Sequence, residues 1–149
     1  MARAASLPIS EDLAERLHAE GEASDQSPSV LAALLIDEGM KIRRFPGIVY
    51  RDGPSGRRAS LVDGPDIWQV IRSLHEVPSD EHDPVETVCV EADLHARQVS
   101  LALQFYKAYS NEIEAKIADN RAAAMRIDEM ISERERAIAR GQVVQRFRP

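Results

Sequence analysis

The chain places metal-ligand types close together once: His75, Glu76, Asp80, Glu81, His82 and Asp83 fall within nine residues. Imidazole and carboxylate could hold a divalent ion, but the stretch "EVPSDEHDP" reads as a loop. It also lacks the i, i+4 spacing that sets two ligands on one helix face, so it predicts a solvated acidic loop. Cys89 is the single cysteine, set between Val88 and Val90, and it predicts a buried small hydrophobe with no internal disulfide. The adjacent Arg57 and Arg58 follow Gly56, yet no GxxxxGK[ST] occurs and no glycine-rich turn joins a strand to a helix. Both arginines predict exposed strand positions beside a turn, with phosphate contact to a nucleic acid as the alternative. His18 sits on a helix flank and His95 at the start of the last helix of the middle segment, both expected at the surface, and no Ser/His/Asp or Cys/His arrangement stands out. The residues predict a binder, not an enzyme, with no cofactor and no metal.

Charge points to what is bound. The net charge is −6, unevenly spread: residues 1–44 carry five basic and eight acidic groups, residues 45–120 seven and thirteen, and residues 121–149 seven arginines and four acids. An acidic body with a basic tail predicts that the tail meets something negative, a phosphate backbone or an acidic pocket on a protein. No apolar run approaches membrane-spanning length, and the N-terminus has no signal-like apolar core. A cytoplasmic location without membrane contact is expected.

The elements that position these residues read as mainly α with a small β component, in three segments. In residues 1–44, Ala5, Leu7 and Ile9 alternate with small residues as a short strand. Ser10 caps a helix ending at Gly21. Ser27 then caps a second helix, with Pro28 at its first position, running to Gly39 or Met40. In residues 45–120, Ile48–Arg51 and 57–62 flank the turn-rich "DGPSG" as a hairpin with a five-residue loop. Pro65 suits the first turn of a helix carrying Ile67, Val70, Ile71 and Leu74. Residues 85–90 are apolar and read equally as helix or strand. Asp93 caps a helix over 94–109 with Val99, Leu103 and Tyr106 inward, and the last two elements form a helix-turn-helix. In residues 121–149 a stripe continues from Ile113, Ile117 and Asn120 through Ala124, Ile127, Ile131, Arg134 and Ile138 in steps of four and three. Ser110 is its N-cap and Gly141 ends the helix. Ile113 and Ile117 are expected to pack on their own domain, and Ile127 onward on a partner.

One strand and two helices cannot bury a core alone, and an unpaired strand leaves its backbone unsatisfied. Residues 2–44 therefore predict a homodimer, and "SLPISEDLAERL…SPSVLAALLIDEGM" resembles the ribbon-helix-helix family. That resemblance implies strand-pair contact with DNA bases and phosphates held at the second helix N-terminus. It thereby points to Arg3, Ser6, Ser27 and Ser29 as DNA-binding residues. The groove-facing positions Ala4, Ser6 and Pro8 depart from the family's usual polar set. "PGIVYRDGPSGRRASLVDGPDIWQVI" with "LHARQVSLALQFYKAYSNEIEAKIADN" resembles domain of unknown function four-three-three, a hairpin ahead of a homeodomain-like helix-turn-helix. Together the resemblances imply a VapB-like antitoxin whose partner is a PIN-like ribonuclease and whose own operator is its DNA target. Arg57, Arg58, His95, Arg97 and Gln98 would then touch DNA. Ile127, Ile131, Arg134, Ile138, Arg140, Arg146, Phe147 and Arg148 would touch the toxin. The rival expectations are a stand-alone DNA-binding transcription regulator without a toxin, and a scaffold that uses the long helix for self-assembly.

Overall fold

A computed structural model describes residues 6–78, 80 and 83–141. It is mainly helical, with six helices and one two-stranded antiparallel sheet among the described residues. The chain divides into two compact units, residues 1–46 and 47–149. The first boundary lies two residues from the expected one. No boundary falls at 120, where one helix runs through.

Unit 1 is a helical hairpin of α1 (Glu11–Ala23) and α2 (Pro28–Arg44). Ser10 and Ser27 cap the two helices as expected, their Oγ atoms accepting from the Leu13 and Val30 amides at 3.3 Å. Both helices run past the expected stops. Gly21 does not end α1: it is buried inside it, and a Cβ there would lie 2.8 Å from the Gln26 carbonyl oxygen. The left-handed residue that closes the turn is Asp25, at φ 53°. Asp tolerates that region because its short side chain bonds locally. At Gly39 nothing approaches closely, so α2 continues to Arg44, its last turn rich in cations that suit the C-terminal dipole. Residues 6–10 are in no strand, so the strand expected over Ala5–Ile9 is not formed among its described residues.

Unit 2 begins with β1 (Ile48–Arg51) and β2 (Arg58–Leu61), paired from Ile48↔Leu61 to Arg51↔Arg58. The connection is six residues, one longer than expected, and Arg57 belongs to it. Then come α3 (Ile67–Glu76), α4 (Pro84–Glu91), α5 (Ala96–Ala108) and α6 (Ser110–Ala139). Helices α3, α4 and α5 pack mutually, α6 packs on α3 and α5, and β2 packs on α3. Ile48, Leu61, Ile67, Ile71, Val88, Val99, Phe105 and Ile113 form the core.

Five expectations shift here, and one left open is resolved. Asp66, not Pro65, starts α3, in a reciprocal capping box with Gln69. Residues 85–90 are helix. Asp93 is not an N-cap: at φ 51° it closes α4, and the amide of Leu94 donates to the Cys89 carbonyl at 2.9 Å. His95 starts α5. Ser110 is the first helical residue of α6, whose N-cap is Tyr109. On α5 the inward set is Val99, Ala102 and Phe105, while Leu103 is exposed and Tyr106 half-buried. Cys89 is half-buried.

Candidate partner-binding arm and nucleic-acid surfaces

Arg58 and Asp66 tie the hairpin to α3. Asp66 is buried, and its carboxylate accepts from Arg58 Nε, Ser60 Oγ (2.6 Å) and Trp68 Nε1 (3.1 Å). Gly53 permits the guanidinium to lie against the backbone, since a Cβ there would fall 1.5 Å from Arg58 Nη1. The arginine expected at an exposed strand position is therefore mostly enclosed, and its charge is met inside the fold. Arg57 turns outward and pairs with Asp52 at 3.2 Å. Sequence reasoning missed Asp66 as the acceptor, although it lies only eight residues after Arg58.

The helix-turn-helix candidate is α4, the four-residue turn 92–95, and α5. His95 and Gln98 form a reciprocal capping box, the Gln98 Oε1 accepting the His95 amide at 2.9 Å and its Nε2 reaching the Asp63 carbonyl at 3.4 Å. Both side chains thus hold the helix start in place. Arg97 is exposed. Glu86 and Glu91 on α4 and Asp93 in the turn are exposed as well, so this candidate carries more acidic than basic groups. In unit 1 the Ser27 hydroxyl is engaged as a cap, Ser29 and Ser6 are exposed, and Glu22 and Asp25 line the same hollow as Ser27. Carboxylates there oppose an anion at the α2 N-terminus. Arg3 lies outside the described residues.

Of the expected partner-binding residues, Ile127, Ile131, Arg134 and Ile138 lie on α6. Its first half is anchored: Ile113 and Ile117 are buried, Tyr50 donates to Glu112 at 2.7 Å, and Lys116 donates to the Ser55 carbonyl at 2.7 Å. Arg126 still lines a hollow with Pro54 and Trp68, and beyond it the helix continues with apolar residues exposed. Ile127 (57% exposed), Ile131 (50%) and Ile138 (54%) continue the stripe in solvent, with Arg134 exposed among them. Met130, 68% exposed, widens that face and was not singled out from the sequence because it lies beside the heptad seam. At 1.5 Å per residue, the arm runs roughly 30 Å from Ile117 to Ile138. Arg140 caps the helix end and Gly141 follows at φ 70°. Arg146, Phe147 and Arg148 lie outside the described residues.

A single residue, Tyr109, joins α5 to α6, and Tyr106 donates across the joint to Glu114 at 2.6 Å. That hydrogen bond to Glu114, then burial, then the nearby negative charge, hold the Tyr106 hydroxyl above its ordinary pKa. A raised folded value means that the contribution is complete below the unfolded pKa and is lost as pH rises through the folded one. Carbon NMR of the Tyr106 ring should show a midpoint above that of free tyrosine, returning toward it in Glu114→Ala.

Among the described residues, no group of three or more His, Cys, Asp or Glu could hold a metal ion. No helix there is long and apolar enough to cross a membrane. No protein family model, curated protein or solved structure matches the chain.

Proposed function

We propose that the chain is the antitoxin of a type II toxin–antitoxin pair, neutralising a PIN-like ribonuclease with residues 121–149 and repressing its own operon. The observation that carries this reading is the arm: a helix whose packing stripe carries exposed isoleucines as far as Ile138, about six turns beyond its last buried isoleucine. An apolar stripe left in water costs solubility and is retained where a groove receives it. Arg134 is the one charge on that stripe. A nuclease that gathers carboxylates around metal ions would meet it bidentately, each such hydrogen bond contributing about 1.5–3 kcal/mol once water is excluded. Arg140 and the tail's Arg146, Phe147 and Arg148 extend the same chemistry.

Pairing two copies through unit 1 belongs to this reading. Among its described apolar residues, Leu31 and Phe45 are buried, whereas Leu7, Ile9, Leu13, Val30, Ile36 and Met40 are exposed. A second copy would cover them and would give the N-terminal segment a partner against which to form its expected strand. Operator contact would then rest on the ribbon and on Arg97, with modest, salt-sensitive affinity given the acidic body.

The test is truncation at residue 120 in cells that also express the ribonuclease. The truncated chain should lose all protection while still dimerising and still shifting its promoter DNA in a gel. Retained protection would overturn the assignment of the arm.

A further inference from the structure

We propose that two copies of this chain also pair arm to arm, antiparallel, through the face of α6 that carries Ile127, Met130, Ile131, Arg134 and Ile138. This goes beyond the ribonuclease reading and does not depend on it.

Orientation follows from Arg134. In a parallel, in-register pair each seam residue meets its own copy, so Arg134 would face the partner's Arg134 in a desolvated seam, which is strongly unfavourable. Running the second helix the other way, with Ile127 opposite the partner's Ile131, removes that clash. Each Arg134 then lies across the partner's Ala124, where a small side chain leaves room for the aliphatic stem and the guanidinium can reach water.

The flanks agree with the same register. Arg121 comes beside the partner's Glu135 at both ends of the seam, giving two opposite-charge pairs. On the other flank Met130 meets the partner's Met130 at the two-fold axis, and the partner's Ala137 comes level with Ala123 at the rim of the hollow lined by Trp68 and Asn120. One like-charge contact arises, Asp128 beside the partner's Asp128, at the water-exposed edge. Residues 121–140 hold five arginines and four acids, so two arms carry almost no net repulsion. Two neighbouring seam isoleucines per copy make a short contact, held loosely enough to be exchanged for another partner.

The full chain with Cys89→Ser and Met130→Cys, treated with a short bismaleimide, should give a cross-linked dimer. Ile138→Cys in the same background should not link to itself, because antiparallel pairing sets those positions about 27 Å apart. Adding Ile131→Glu to the Met130→Cys chain should cut the product about tenfold or more, since a seam carboxylate lacks a partner. Adding Met125→Glu, on the opposite face, should leave it unchanged. Equal linking at 138 and 130, or linking indifferent to Ile131→Glu, would overturn the proposal. Either result leaves the truncation test of the ribonuclease reading untouched.

Discussion

Replacing Asp66 by alanine should unfold unit 2 more readily than any other polar substitution in the hairpin. The carboxylate is the common acceptor for Arg58, Ser60 and Trp68, and it caps α3. Removing it strands a guanidinium that is only 20% exposed, beside a buried serine. Breaking one side of such a pair costs about 3–5 kcal/mol, a large part of the total stability of a small unit. Urea and thermal unfolding should move together, with the melting temperature lower by on the order of 15 °C. Arg58→Met should cost less, because it removes the charge that needs an answer. The double variant should be milder than the sum of the two, by about 1 kcal/mol or more. Strict additivity would show that the two side chains act separately and that the reading of this junction is wrong.

Phe105→Ala should be comparably damaging, and Leu103→Ala nearly silent. Phe105 is wholly buried on α5 and lies 5.0 Å from the Tyr109 ring, centre to centre. Emptying that space costs about 3–5 kcal/mol through lost transfer energy and the residual cavity. Leu103, at 38% exposure, should change stability by about 0.5 kcal/mol. Denaturant midpoints of the two variants settle which side of α5 faces the core. The opposite ranking would require the helix to be rotated.

That pair of residues shows why some of the fold was legible in the sequence and some was not. The set 99, 103, 106 and the observed set 99, 102, 105 both satisfy a helical period. The apolar Leu101 and Leu103 straddle the small Ala102, so hydrophobicity alone could not choose the phase. Where one residue type has one physical use, the sequence is legible: Ser10 and Ser27 as caps, the turn-rich stretch between the strands, and Ile113 and Ile117 as the part of α6 that packs on its own domain. Helix ends went astray at Gly21 and Asp93 for a shared reason. The left-handed position was filled by aspartate in both turns, while the glycine was needed for a close backbone approach instead. Arg58 was misjudged because an arginine beside a turn is normally in water. Only the third dimension brings Asp66 beneath it.

The joint at Tyr109 gives the molecule a long pointer on a short pivot. Helix α6 is thirty residues, about 45 Å by its rise, so a tilt of only ~5° at that joint carries its far end sideways by ~4 Å, close to the width of a side chain. Two phenol–carboxylate contacts, Tyr50 to Glu112 and Tyr106 to Glu114, join buried Ile113 and Ile117 and the Lys116–Ser55 bond in setting where Ile138 ends up, although none lies within reach of it. Small changes at the pivot are magnified at the tip. For the docking proposed for this arm, the aim of the helix would thus be set at a place the proposed partner does not touch.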